Sequence, residues 1–167
     1  MKGWTMMIDI FLLIILAICV ITDLKSRMIY NKVIFPALLL TFIYQFTTGG
    51  WESLSHSFIG FLIGFALLLI PYFLGGIGAG DVKLLGLIGA MKGAIFVFQS
   101  FIYIALLGAV IAVFILLFRS ELWKSIYRYV LYKQSFNQGV LTGTYPYGVA
   151  IAGGVMIQML MQGGTLL

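Results

Sequence analysis

The sequence predicts an all-α, polytopic membrane protein with about six transmembrane helices, and three observations lead to this fold class. Hydrophobic residues make up 62% of the 167 residues and charged residues only 9%, whereas a soluble domain carries about 25% charged residues. Apolar runs of the length that spans hydrocarbon recur along the whole chain. The basic residues are concentrated in the short connections between these runs, as in membrane proteins of defined orientation.

The apolar segments are expected to be helices, because a helix satisfies its own backbone hydrogen bonds in lipid. In chain order they cover residues 4–22, 33–48, 54–74, 82–90, 94–118 and 140–161. The fourth segment holds only nine residues and is too short to cross a bilayer unless the glycine-rich stretch before it joins the helix. No linker, repeat or low-complexity segment divides the chain, so residues 1–167 are predicted to form a single membrane domain.

The distribution of basic residues predicts the orientation of the chain. If the connection after the first segment is cytoplasmic, that side receives eight of the ten Lys and Arg residues. These eight are Lys25, Arg27, Lys32, Lys83, Arg119, Lys124, Arg128 and Lys133. Because cytoplasmic connections carry the excess of basic residues, the N-terminus is predicted to lie outside, with Lys2 and Lys92. Asp23 and Asp81 then both lie at the cytoplasmic face of the cell membrane.

Several other kinds of function find no support in the composition. The net charge of +5 is explained by the membrane topology, so lipid is the expected partner and nucleic acid is not. The single cysteine, Cys19, excludes an intrachain disulfide and a zinc site built from cysteines. His56, the only histidine, is predicted on the outer side without an acid or a nucleophile-elbow pattern for a Ser–His triad. A metal site would need carboxylates from opposite faces, so no metal or other cofactor is expected.

The polar connection 119–138 combines basic residues with aromatic residues that include Trp123, Tyr127, Tyr129 and Tyr132. This composition favours an interfacial helix that lies on anionic headgroups. The connection either anchors the protein at the membrane surface or docks a substrate or partner. The sequence leaves both interpretations open, as it does the oligomeric state.

Two aspartates are the best candidates for chemistry. Asp23 ends the first apolar segment, and Asp81 follows the glycine-rich stretch before the fourth. Ionisable side chains near membrane depth are costly and usually face a cavity or a partner, although either residue alone is compatible with an ordinary interfacial carboxylate. Glycines at positions 75, 76, 78 and 80 remove side chains just before Asp81. Another helix or an extended substrate can therefore approach closely there.

A pair of neighbouring carboxyl groups has the chemistry of an aspartic peptidase. Two carboxylates at short distance cannot both ionise easily, so one keeps a proton while the other acts as a base. The base takes a proton from water, and the protonated partner polarises the scissile carbonyl. The sequence therefore predicts Asp23 and Asp81 as a catalytic pair.

Three motifs resemble those of the type IV prepilin peptidases and the related preflagellin peptidases, which are membrane aspartic peptidases with a Gly-x-Gly-Asp signature. The signature reads GAGDVK over residues 78–83. Asp23 is followed, after a basic stretch, by Asn31, and the run YPYGVAIAGG from Tyr145 is similar to the opening of the family's last helix. Tyr30 departs from the pattern, because the family usually places Pro before this Asn.

The resemblance implies a function. The protein would cleave a short basic leader from prepilin-like or preflagellin-like precursors at the cytoplasmic face of the membrane, with Asp23 and Asp81 as the catalytic residues. Larger bacterial members carry a cysteine-rich methyltransferase insert near the N-terminus. Since these residues contain no such insert, cleavage without methylation is expected. Which precursor is cut, and for which filament or secretion system, does not follow from the sequence.

The same resemblance implies that further residues bind substrate or support the site. These are Gly78, Gly80, Lys83, Asn31, Pro146, Tyr147 and Gly148. Because residues two apart on a helix point to nearly opposite sides, we expect the ammonium of Lys83 to reach lipid phosphate and not to tune Asp81.

Two other functions stay open. A small proton- or cation-coupled transporter would use the same aspartates as a relay, but it requires a polar path to the outer face. Apart from Asp9, Gln45 and Gln99, few residues are suited to build such a path. A catalytically inactive homologue that acts as an assembly scaffold is the second alternative, against which the intact acids argue.

Overall fold

The computed structural model describes residues 2–26, 29–118 and 147–164. Within these ranges all regular secondary structure is helical, in agreement with the predicted fold class. The helices are α1 (Lys2–Ser26), α2 (Asn31–Phe73), α3 (Ala79–Lys92), α4 (Ala94–Phe118) and α5 (Tyr147–Gly164). The aromatic, basic connection 119–138 lies outside the described residues, as does the beginning of the last predicted segment.

Three helices in the described part of the chain are long and apolar enough to cross a membrane. They are α1 over Met7–Ser26, α2 over Asn31–Phe73, and α4 over Ala94–Phe114. The apolar stretch of α5 is shorter, and α3 has only 14 residues. The number of membrane crossings and the side that each end faces therefore remain predictions.

The long helix α2 consists of two arms that meet at Gly50. The φ of 62° and ψ of −149° at this residue lie in a region that essentially only glycine adopts. Across the break, the ring of Phe42 lies 6.3 Å from Phe58 and 6.2 Å from Phe61, centroid to centroid. Since a straight helix would separate these rings by roughly 24 Å or more, the arms fold back on each other. They correspond to the second and third predicted segments.

The short helix α3 lies inside the bundle. Of its residues from Asp81 to Met91, all except Lys83 are buried, as is typical of a helix that is apolar around its whole circumference. The predicted fourth segment was too short to span a bilayer alone. The structure begins this helix three residues earlier, at Ala79, and encloses it among the longer helices.

Small residues bring α3 into backbone contact with the second arm of α2. A side chain at Gly60 would meet the carbonyl oxygen of Gly89, and one at Gly64 would meet that of Leu85. Gly60 and Gly64 form the small-xxx-small spacing through which membrane helices approach closely. This contact holds α3 in the middle of the bundle.

We expect Gly60→Ala to destabilise the protein by about 1–3 kcal/mol, because the new methyl group would collide with backbone of α3 that cannot rotate away. The measurement is the midpoint of thermal unfolding in detergent. Gly76→Ala is the matched control, since its methyl group would lie 3.5 Å from the nearest atom, the carbonyl oxygen of Pro71. Equal midpoints for the two variants would contradict this account of the packing.

The bundle has two polar ends. At one end, Asp9 of α1 forms an ion pair with Lys92, the last residue of α3. Asp23 lies 14 residues after Asp9, which is roughly 21 Å along the helix, and Asp81 lies at the opposite end of α3 from Lys92. The two candidate aspartates therefore share one end of the bundle, away from the ion pair.

Candidate active site

Asp23 lies in the last turn of α1 and is held by the beginning of α5. The residue is only 7% exposed, and its Oδ2 accepts a 3.0 Å hydrogen bond from the backbone N–H of Gly148. A Cβ at position 148 would lie 2.8 Å from that oxygen, so the missing side chain is what lets the two helices meet. The N–H of Gly148 thus holds one carboxylate oxygen of Asp23 in place at the start of α5.

Asp81 lies in the first turn of α3 and is 8% exposed. Its Oδ2 accepts a 3.2 Å hydrogen bond from the N–H of Gly78, the extended residue that precedes the helix. This is the bond that an acidic residue makes back to the N-cap in a capping box. The other oxygen, Oδ1, is buried and has no hydrogen-bond partner among the described residues. Asp81 is therefore anchored through one oxygen, while the other is buried without a partner in the described part of the chain.

The glycine signature before Asp81 has two structural roles. Gly78 provides the N–H that binds the carboxylate. Gly80 provides space, because a Cβ there would lie 2.8 Å from Cβ of Ile29 in the connection between α1 and α2. The close approach of another chain segment that the glycines predict is thus made by the protein's own connection.

The two carboxyl groups interact electrostatically. The pKa of Asp81, which lies outside the three candidate spans, is raised from its usual value to about 7. Burial is the largest cause, the negative charge of Asp23 is the second, and the hydrogen bond from Gly78 acts in the opposite direction. A raised pKa on one member is what a pair of carboxyl groups needs to share a single proton near neutral pH.

Lys83 contacts α2 instead of the aspartates. Its Nζ donates a 3.0 Å hydrogen bond to Oδ1 of Asn31 and lies 5.4 Å from the centroid of the Phe35 ring. Among the described residues an ion pair joins Lys92 to Asp9, but no ion pair joins Lys83 to Asp81. The expectation that Lys83 does not tune Asp81 by direct contact agrees with this geometry.

A comparison with known families identifies the family of the chain. The profile of the type IV leader peptidase family matches residues 10–117. This range is more than half of the chain and contains Asp23, Asn31 and the signature at residues 78–83. The chain belongs to this family. No curated protein and no solved structure matches the chain.

The motif at the last helix lies beyond the range of the chain that the family profile matches. Gly148 contacts Asp23, as described above, so this residue does reach the candidate site. Tyr147 is half-buried, and its hydroxyl lies against Gly108 of α4. Pro146 lies outside the described residues.

Three other side chains of the described residues that could take part in chemistry lie elsewhere. His56 is exposed on the second arm of α2, while its neighbour Ser57 is buried and donates a 2.7 Å hydrogen bond to the carbonyl of Ala90. Cys19 is buried in the apolar core, one turn before Asp23. Among the described residues, no three His, Cys, Asp or Glu side chains converge on a point that could hold a metal ion.

Two contacts near the site were not expected from the sequence. Ile29 packs on Gly80, and Phe35 lies under the ammonium of Lys83. A signal for Phe35 exists, because it follows Asn31 by four residues and so shares its face of α2. No comparable signal identifies Ile29, whose neighbour is 51 residues away in the chain.

Proposed function

We propose that this protein is a membrane aspartic endopeptidase that removes the short basic leader from type IV prepilin-like or preflagellin-like precursors. Residues 1–167 act as one membrane domain, and the reaction uses a water molecule activated between Asp23 and Asp81. The observation that carries the proposal is the pair of buried carboxyl groups at one end of the bundle, within the range that matches the family. One oxygen of Asp81 has no hydrogen-bond partner among the described residues, which supports a role for it in the reaction.

The environments of the two residues suggest their roles. Asp23, bound by the N–H of Gly148, is the base that takes a proton from water as the water oxygen attacks the scissile carbonyl carbon. Asp81, whose pKa is raised, gives its proton to the carbonyl oxygen, and a neutral gem-diol forms. Asp23 then protonates the leaving nitrogen while the C–N bond breaks, and one gem-diol proton returns to Asp81. The pair ends in its initial protonation state.

The charge at the aspartate end supports a cytoplasmic orientation of the site. Lys25 at the end of α1, Lys32 at the start of α2 and Lys83 at the start of α3 all lie at this end. Cytoplasmic connections carry the excess of basic residues. A leader that precedes a hydrophobic helix would be presented at that face of the cytoplasmic membrane, where the enzyme is proposed to reside.

The direct test is a cleavage assay with the full chain, purified in detergent or reconstituted in lipid, and a prepilin-like precursor as substrate. Mass spectrometry of the products should identify a single cut between the basic leader and the hydrophobic helix. A precursor whose cleavage site is blocked by substitution is the matched substrate control. The proposal fails if the precursor stays intact, or if the cut persists after both aspartates are replaced.

The pH dependence of kcat/KM follows from the raised pKa of Asp81. Cleavage requires the protonated acid, so activity is present below a pKa of about 7 and is lost as the pH rises through it. Well above that value, kcat/KM should fall about tenfold per pH unit. The parameter kcat/KM is the correct readout, because it reports groups of the free enzyme. Enzyme returned to neutral pH should recover its rate, and a profile that is flat from neutral to alkaline pH would contradict the assignment.

A further inference from the structure

The first turn of α3, which carries Asp81, is tied to the start of α2 by one polar contact between distant parts of the chain. Lys83 reaches 52 residues back to Asn31, with a hydrogen bond of 3.0 Å. The same ammonium lies 5.4 Å from the Phe35 ring centroid, a distance at which a cation is attracted by an aromatic face. Asn31 and Phe35 are one helical turn apart on α2, and both contact the ammonium at the surface of the bundle. We call Lys83, Asn31 and Phe35 the clasp.

The clasp joins the first turn of α3, which carries Asp81, to the start of α2, the helix that follows Asp23 along the chain. Asn31 begins α2 immediately after the short connection that leaves α1, eight residues after Asp23. Lys83 follows Asp81 by two residues on α3. The first turn of α2 is itself closed by the hydrogen bond from Val33 N–H to the carbonyl of Tyr30, at 3.0 Å. Movement of the first turn of α3 away from the start of α2 would therefore stretch the clasp.

Two other contacts of this first turn do not fix it in a particular direction against α2. The hydrogen bond from Gly78 is made within the same turn as Asp81, so it orients the side chain without fixing the turn against another helix. The contact between Gly80 and Ile29 is apolar and has no directional preference. The Lys83 hydrogen bond is directional and charge-assisted, which makes it both stronger and more specific.

We infer that Lys83 is a positioning residue of the peptidase, which acts through Asn31 and Phe35 to hold Asp81 opposite Asp23. This inference rests on the proposed function of the two aspartates. A displacement of about 1 Å at a catalytic group can cost on the order of 10²-fold in rate. The loss of the clasp should therefore lower kcat and leave KM nearly unchanged.

The kinetic test compares Lys83→Met, Asn31→Ala and the double variant in the cleavage assay. Each single variant should lower kcat by roughly 10- to 100-fold, with KM within about twofold. Because both residues act through one contact, the double variant should be no slower than the slower single variant. Lys83→Arg, which keeps the charge and the donor, should restore at least part of the rate. Effects on KM alone, or losses that multiply, would overturn the inference.

Lys32→Met is the matched control. Lys32 is an exposed residue next to Asn31, at the same end of the bundle and outside the clasp. Its replacement removes the same charge from the same region, so it reports any general effect of positive charge on substrate binding. A loss of kcat as large as that of Lys83→Met would show that charge, and not the clasp, is responsible.

A second measurement does not depend on peptidase activity, which separates failure of the clasp from failure of the proposed function. Spin labels at Leu24→Cys on α1 and Ala79→Cys on α3, in a Cys19→Ala background, report the distance between the two segments that carry the acids. Both labelled positions are exposed. Lys83→Met should broaden the distance distribution obtained by pulsed electron paramagnetic resonance, and Lys32→Met should not. An unchanged distribution in Lys83→Met would overturn the inference even if the enzyme cleaves its precursor.

Discussion

Replacement of Asp23 or of Asp81 by Asn should lower kcat for leader cleavage by about 10²–10⁴-fold, the usual contribution of a positioned acid or base. Asn keeps the size and much of the hydrogen bonding of the side chain but neither accepts nor supplies the required proton. Since the two carboxyl groups act as a unit on one water molecule, the double variant should be little slower than either single variant. The measurement is the initial rate of precursor cleavage at saturating substrate.

Asp9→Asn is the matched control for this experiment. Asp9 lies on α1 like Asp23, but at the opposite end of the bundle, where it pairs with Lys92. Its replacement removes a carboxylate from the same helix without touching the candidate site. Unfolding midpoints would establish that all the variants are folded. A normal cleavage rate in Asp23→Asn or Asp81→Asn would refute the catalytic assignment.

The second large effect is expected for Gly148→Ala. The added methyl group would lie 2.8 Å from Oδ2 of Asp23 and 3.2 Å from its Cβ and Cγ, closer than non-bonded atoms allow. Either the carboxylate rotates away or α5 moves outward, and in both cases the hydrogen bond from the Gly148 N–H is lost. A displaced base should lower kcat by about 10²-fold. The kinetic assay with the precursor measures this loss directly.

Gly153→Ala provides the control on the same helix. Its methyl group would meet only Cδ1 of Leu107, at 2.9 Å, and the end of a leucine side chain can move aside. This variant should therefore keep most of its activity. If Gly148→Ala were as active as Gly153→Ala, the contact between α5 and Asp23 would have no role in catalysis.

Hydropathy predicts the helix content of the chain, but it does not predict the central position of α3. Long apolar runs in a chain with few charges leave helices as the expected structure, and α1, α2 and α4 correspond to such runs. The short α3 was ambiguous, because its nine predicted apolar residues are too few to cross a bilayer alone. Its enclosure depends on Gly60 and Gly64 meeting backbone that lies more than 20 residues away in the chain, and a linear pattern does not specify that partner.

The candidate catalytic residues were predictable for a different reason. Asp23 and Asp81 are acids at the ends of apolar segments, and the cost of burying a charge makes such residues conspicuous. Their hydrogen-bond partners were harder to predict from the sequence. The N–H of Gly148 comes from the backbone, which every residue except proline carries, so nothing in the amino-acid types marks it as the donor to Asp23. The expectation that Lys83 reaches lipid phosphate stays a prediction, and its contacts with Asn31 and Phe35 were not predicted.

The sequence by itself determined that the chain is helical and apolar, that its basic residues are unevenly distributed, and that two aspartates are candidates for an acid–base pair. These properties depend on residue type and on spacing along the chain. Only the tertiary structure decided that α2 folds back at Gly50, that α3 is enclosed, and which groups hold each carboxylate. Those features depend on contacts between residues that are far apart in the chain. In these contacts, backbone groups and the small size of glycine matter as much as the types of the other residues.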